Sequence, residues 1–222
     1  MPRDDAFPGQ GLFGGVCAGG EGWGIGAPQP DLLRLIEEFP PRGRILDVGC
    51  GTGDLAIELA RAGRTVLGID VAEAAIETAR FRLAALPPEQ RALVEFRVAD
   101  ALQLAELAGE VESVADCGFF HLFDAATRRD LVDELGRVLP RGGRYHMLGF
   151  AIPIPTPAAP REVTREEITA LFAREAGWIV RAMRSAAFLT HGYGGIPALA
   201  VCAERAVGAE WGQAPAPPAR GS

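Results

Sequence analysis

The chain has 222 residues and carries 29 acidic side chains against 22 basic ones, a net charge of -7. At roughly 100 to 200 residues per domain this length supports one core, and so acidic a chain lacks the basic surface that nucleic acids and anionic membranes demand. Lys and Asn are absent, so every basic residue is Arg, which excludes Schiff-base chemistry, a phosphate-loop lysine, a Ser-Lys pair and Asn-linked glycosylation.

Residues 1 to about 30 are rich in Gly, with isolated Phe, Cys and Trp. They begin on an acidic Met1-Pro2-Arg3-Asp4-Asp5 instead of the apolar run of a secretory signal. Short apolar runs then read as buried strands at Arg44 to Val48, Thr65 to Ile69, Val94 to Val98, Ser113 to Cys117 and Arg144 to Phe150. Helical spacing fills the gaps: Leu55, Leu59 and Ala60 share a face after Gly53, Ala72 to Leu83 supply another after Asp70, and Leu131, Leu135, Val138 and Leu139 form a third before Pro140. Thr164-x-x-Glu167 predicts a capping box that opens a further helix. Two late strands, around Ala186 to Thr190 and Pro197 to Ala203, flank His191-Gly192-Tyr193-Gly194-Gly195 and read as a hairpin. The Pro-rich stretch 214–222 has no apolar period and reads as a disordered tail. Strands alternating with helices imply an α/β fold around a mostly parallel sheet with an antiparallel end. No apolar stretch reaches membrane-spanning length. The four cysteines, Cys17, Cys50, Cys117 and Cys202, contain no C-x-x-C pair, so no metal site is expected and a reduced, cytoplasmic setting fits.

The most informative segment is Asp47-Val48-Gly49-Cys50-Gly51-Thr52-Gly53, a strand turning through three glycines into a helix. A dinucleotide site would want G-x-G-x-x-G, whose third glycine position is here Asp54, a residue that would repel a pyrophosphate. The bend suits a nucleoside carrying a positive charge and a carboxylate, with Asp47 near the positive part and free backbone N-H groups facing the rest. Asp70 ends the second strand about 20 residues on, the position from which a carboxylate accepts both ribose hydroxyls. Asp100 follows the third strand over the same crevice and suits an adenine amino group.

With Asp47 to Gly53, Asp70, Asp100-Ala101, Asp116-Cys117-Gly118 and Pro140-Arg141-Gly142-Gly143, the chain resembles the class I S-adenosylmethionine-dependent methyltransferases from about residue 30 to 205. Within that family Trp23-Gly24-Ile25-Gly26-Ala27-Pro28-Gln29-Pro30 and Asp116 to Phe123 are similar to the thiol, thiopurine and halide methyltransferase-like branch, with Cys117 replacing the usual Ser. The resemblance implies a single Rossmann-like, doubly wound, seven-stranded sheet: an arm or lid at 1–30, the methyltransferase domain at 31–205 and the tail at 206–222. It implies S-adenosylmethionine as cofactor, S-adenosylhomocysteine as product, and a small-molecule acceptor as partner to a monomer or homodimer. The expected cofactor-binding residues are Trp23, Asp47, Gly49, Cys50, Gly51, Gly53, Asp70, Val71, Asp100, Ala101, Asp116 and Cys117.

His121 is the candidate catalytic residue, either a base or a pocket wall. Cys117, with no paired base in sequence, reads as a small core residue instead of a nucleophile. The Pro-rich loop Ala151 to Pro160 reads as the acceptor wall, and Phe119, Phe120, Phe123, Phe150 and Tyr193 are further candidates to line it. A soft nucleophile such as a thiol is the first expectation for the acceptor, with an oxygen or nitrogen of a natural-product scaffold as the alternative. A non-catalytic cofactor-binding protein and a nicotinamide oxidoreductase are the competing classes.

Overall fold

The computed structural model describes residues 25–107, 109–154, 160–191 and 194–207. The expectations for Trp23 and the arm, for residues 155–159 of the Pro-rich loop, for Tyr193 and for the tail lie outside them. The elements in chain order are α1 (Pro30–Glu38), β1 (Ile45–Val48), α2 (Asp54–Arg61), β2 (Val66–Asp70), α3 (Glu73–Leu83), the one-turn α4 (Pro88–Arg91), β3 (Val94–Val98), β4 (Ser113–Cys117), α5 (Ala125–Val138), β5 (Arg144–Phe150), α6 (Arg165–Leu171), β6 (Trp178–Thr190) and β7 (Gly194–Arg205).

The seven strands form one sheet in the order β3-β2-β1-β4-β5-β7-β6. The first five are parallel, and β7 and β6 close the sheet as an antiparallel pair. Connections leave β1 toward β2 and β4 toward β5, so the order reverses between β1 and β4, where a crevice opens beyond the strand ends.

Strand periodicity assigns each residue to one of two cores. Ile45, Val66, Ala115 and Leu148 pack with Leu32, Leu35, Leu55 and Ile76 of α1, α2 and α3. Leu46, Leu67, Val114 and Tyr145 pack with Leu131, Leu135 and Ile168 of α5 and α6. Alternate side chains point to opposite faces, so Asp47 and Cys117 belong to the α1–α3 face and Asp116 to the α5–α6 face. Asp47 stands between Gly68 and Ala115 in register, two residues too small to crowd it.

The terminal hairpin strands are longer than their sequence pattern predicts, reaching Trp178–Thr190 and Gly194–Arg205. In β6, exposed Arg181, Arg184 and Ser185 interrupt the apolar run, because this is the sheet's outer strand. β5 pairs with β7 only as far as Phe150 and Ala198, so the hairpin tip projects past the carboxyl ends of the parallel strands.

The free edge of β6 is closed by the segment entering α1. Buried Gln29 reproduces a strand's pairing: its Nε2 donates to the Leu189 carbonyl (2.9 Å) and its Oε1 accepts from the Leu189 N-H (2.7 Å). Asp31 Oδ2 accepts from Ala187 N-H at 2.7 Å. These bonds satisfy backbone groups that an open edge would leave as a template for aggregation. Replacing Gln29 by Met keeps the volume and strands both Leu189 groups, so the expected loss is about 1 to 3 kcal/mol of unfolding free energy in urea titration. A loss under about 0.5 kcal/mol would show that the edge does not depend on this amide.

Candidate functional site

The glycine turn after β1 takes its shape from three positive-φ residues, Gly49 (65°), Gly51 (52°) and Gly53 (83°). A Cβ at Gly49 would lie 2.3 Å from Phe119 Cδ2, and one at Gly53 2.7 Å from Phe96 Cζ, so both glycines are also required by packing. At Gly51 the same construction meets nothing within 4 Å, and the backbone there faces open space. Cys50 is held between them: its N-H donates to the Ile69 carbonyl at 2.9 Å, and its sulfur lies over the bare Cα of Gly68.

Asp70 ties this turn to the next one. Its Oδ2 accepts from Gly51 N-H (3.0 Å) and its Oδ1 from Ala72 N-H (2.9 Å), which leads through half-buried Val71 into α3. Each carboxylate oxygen can accept a second bond. Asp100, past the end of β3, accepts from Leu102 N-H at 2.8 Å and from the Gln103 amide at 3.2 Å, while Ala101 is buried. Asp47, Asp70 and Asp100 thus lie in or just after β1, β2 and β3 toward their carboxyl ends. Asp47 is the most enclosed, 1% exposed, with Oδ2 accepting from Ala56 N-H (3.1 Å) in the first turn of α2.

Asp116 has a different situation. It lies on the α5–α6 face, wholly buried, where its oxygens accept from Phe119 N-H (2.8 Å), Phe120 N-H (3.0 Å) and the Tyr145 hydroxyl (2.7 Å). It organises the turn after β4, and its acceptor capacity is largely used within the fold. Cys117 faces the other side, half-buried, with the Gln29 backbone amide against its sulfur, and burial pushes its thiol well up, away from a reactive thiolate.

The turn organised by Asp116 carries His121, only 3% exposed. Its Nδ1 accepts the Phe150 N-H at 3.1 Å, which assigns the ring proton to Nε2. The ring lies 4.4 Å from the Phe150 centroid and 5.9 Å from that of Phe188 in the overhanging hairpin. Burial, reinforced by the Arg128 charge, drops its pKa to about 3. His121 is therefore neutral, packed among aromatic rings with Nε2 carrying its one proton. Of the other candidate lining residues, Phe119 covers Gly49 and meets Phe123 edge to face at 4.8 Å, while Phe120 is fully buried. Gln29, Tyr145 and Arg128, which bond to the β6 edge, to Asp116 and to the turn bearing His121, do not stand out as site candidates in the sequence. Only Arg128 left a signal, as an Arg on the same helical face as Leu131, Val132 and Leu135.

The buried carboxylates set the electrostatics. Burial raises Asp47 to about 8, and neighbouring Asp116, Asp70 and Asp54 add to the rise against the lowering effect of the Ala56 amide. Burial likewise raises Asp116 to about 6. Among the described residues no cation pairs with Asp47. Such a site fits a ligand that brings a positive centre, hydroxyls for Asp70 and an open approach at Gly51. Asp47 titrates near 4 in an unfolded chain. Below that pH both states hold its proton; from about 4 to 8 the unfolded state gives it up while the fold retains it, so the ligand-free fold weakens as pH rises through that window. His121 and His146, lowered to about 3 and about 4 by burial, act oppositely and cost stability as pH falls below about 6.5. Ligand-free Asp47→Asn is expected to melt about 5 °C or more above the parent protein at pH 8.5, with the gap closing toward pH 5. A gap that does not change with pH in thermal melts would contradict the buried-charge account.

Comparison with known proteins agrees with this geometry. Residues 45–143 match the family model described as a methyltransferase domain. The chain is 32% identical over 177 residues to a 2-heptyl-1-hydroxyquinolin-4(1H)-one methyltransferase of Mycobacteroides abscessus, covering 78% of this chain and 74% of that protein. It is 30% identical to a probable thiol methyltransferase of Arabidopsis thaliana, over 68% of this chain and 66% of that one. A solved structure described by the conversion of a disulfide bond into a thioacetal group during echinomycin biosynthesis superposes with a TM-score of 0.73 at 28% identity, covering 88% of this chain and 92% of the other. The glycine turn, the strand order and these relatives together make the chain a member of the class I S-adenosylmethionine-dependent methyltransferases.

Proposed function

We propose that the protein transfers the methyl group of S-adenosylmethionine to a small-molecule acceptor whose nucleophilic atom ionises by itself, a thiol first and an N-hydroxyl oxygen of a heteroaromatic scaffold second. When bound, the cofactor supplies a sulfonium methyl that is already strongly electrophilic. Asp47 faces its positive part, Asp70 accepts from the ribose hydroxyls, Asp100 takes the adenine amino group, and the Gly51 backbone allows the close approach. Gly49, Cys50, Gly53, Val71 and Ala101 shape the same groove, while Asp116 and Cys117 act behind it by setting the turn after β4.

The observation that carries the acceptor reading is the state of His121. With Nδ1 occupied by the Phe150 amide and a pKa near 3, it is a poor proton acceptor at neutral pH. Catalysis then rests on alignment and the exclusion of water by Phe150, Phe188 and His121, which suits acceptors that arrive as anions. The names of the relatives support both acceptor types, one being an N-hydroxyquinolone enzyme and another a probable thiol enzyme.

The test is a panel of benzenethiol, iodide, 1-hydroxyquinolin-4(1H)-one, phenol and benzylamine with methyl-labelled cofactor. Transfer to benzenethiol or the N-hydroxyquinolone is expected, with kcat/KM rising with pH through the acceptor's own pKa and His121→Gln slowing turnover less than about tenfold. Transfer to phenol or benzylamine alone would overturn the acceptor assignment. A loss of about a hundredfold in His121→Gln, with unchanged S-adenosylhomocysteine binding, would make this residue a base.

A further inference from the structure

Arg128 is a charged residue on the buried face of α5, 3% exposed, and its guanidinium reaches three separate segments. Nε donates to the Phe120 carbonyl (3.2 Å), and Nη2 to the carbonyls of Arg161 (3.1 Å) and, more weakly, His121 (3.5 Å). Nη1 donates to the Glu162 carbonyl (3.0 Å) and to Glu167 Oε2 (2.6 Å) of α6. The guanidinium also lies 4.9 Å over the Phe120 ring.

This use of Glu167 explains a departure from the predicted capping box. Thr164 caps α6 as expected, its Oγ1 accepting from Glu167 N-H at 3.1 Å, but the Glu167 carboxylate turns to Arg128. The segments joined by Arg128 are also joined directly, since Arg161 N-H donates to the His121 carbonyl at 2.6 Å and Val163 N-H to the Phe150 carbonyl at 2.7 Å. His121 in turn accepts from Phe150. One guanidinium therefore fastens the turn bearing His121 to the strand of chain that returns beside Phe150. A buried cation with a single carboxylate partner is a costly way to hold two loops if stability alone is served. A planar fork that satisfies carbonyls from both loops fixes their spacing, which an apolar residue cannot do.

We propose that Arg128 is a positioning residue for methyl transfer: it locks the Phe120–His121 turn and residues 161–162 into one rigid acceptor wall, acting through His121 and Phe150 without touching the acceptor. The assignment rests on the reading of this side of the cleft as the acceptor side. A displacement of about 1 Å in such a wall costs on the order of a hundredfold in rate.

Arg128→Lys keeps the charge opposite Glu167 and loses the planar fork. Two readouts are taken on it. The first needs no acceptor: amide hydrogen exchange in the S-adenosylhomocysteine complex should speed at least tenfold at Arg161 and Phe150 and stay unchanged at Ile45 in β1. The second uses benzenethiol, or 1-hydroxyquinolin-4(1H)-one if the parent protein methylates only that. Here kcat should fall about a hundredfold while the S-adenosylhomocysteine Kd changes less than threefold, a split that general destabilisation would not produce. Unchanged exchange at Arg161 and Phe150, or faster exchange everywhere including Ile45, overturns the proposal whether or not an acceptor is found. So does kcat within threefold of the parent value, or cofactor affinity falling in step with kcat. Should Arg128→Lys fail to fold, Glu167→Gln weakens the same fork from its solvent side; about fivefold lower kcat and faster Arg161 exchange are expected, and parent behaviour in both overturns the assignment. A parent protein that methylates no probe contradicts the functional reading alone and leaves the exchange test of Arg128 standing.

Discussion

A carboxyl group that has no cationic partner among the described residues, enclosed beside the glycine turn, is the constraint around which the ends of β1 and β2 are arranged. Asp47 must be held there despite the cost of its burial, and the neighbouring architecture provides for it: Gly68 and Ala115 stand beside it in register, and the first turn of α2 offers the Ala56 amide. The helix can begin there only because Gly53 adopts a left-handed conformation that a side chain would resist and that Phe96 leaves no room to decorate. Asp70 then pins the turn from the next strand through Gly51 N-H. In the free protein the buried carboxyl keeps its proton up to about pH 8, and this raised affinity for a proton weakens the fold as pH rises toward that value, the kind of local sacrifice that marks sites built for a ligand.

The sheet separates two tasks by the alternation of its strands. Residues on the α1–α3 face, Asp47 and Asp70 among them, fix the turns after β1 and β2. On the α5–α6 face Asp116, Tyr145 and Arg128 use their polar groups to fix the turns after β4 and β5. The two sides meet at Phe119, whose backbone is held by Asp116 and whose ring covers Gly49. Gln29 and Asp31 hold the projecting hairpin whose Phe188 stands by His121. Among the described residues no helix is long and apolar enough to cross a membrane.

Much of this was legible in the sequence, for identifiable reasons. The central strands are short apolar runs ended by Gly, Asp or Cys, and burial on both faces leaves no other reading for Ile45–Val48 or Val66–Asp70. The glycine turn and its acids stood out because spacing along one chain segment determines them. Long-range side-chain pairing left far less trace. Nothing around Gln29 announces that its amide will serve as a strand 160 residues away. Asp116 looks in sequence like one more acid at a strand end, and only the parity of β4 reveals that it lies on the α5–α6 face against Tyr145. The hairpin was underestimated because an outer strand with arginines on its open side lacks a continuous apolar signal. His121 stands out in sequence by residue type and place, while the hydrogen bond that its Nδ1 takes from Phe150 is one that no local pattern encodes.

The most direct test of the central claim is calorimetric proton counting: binding of S-adenosylmethionine and of S-adenosylhomocysteine at pH 7 in buffers of different ionisation enthalpy. Both ligands carry the same amino acid and nucleoside groups, so their difference isolates the sulfonium charge. With Asp47 near 8 in the free protein, the account predicts that the sulfonium ligand releases close to one proton more than the neutral sulfide, and that Asp47→Asn abolishes the difference. Equal proton release by the two ligands would contradict a buried Asp47 facing the positive charge.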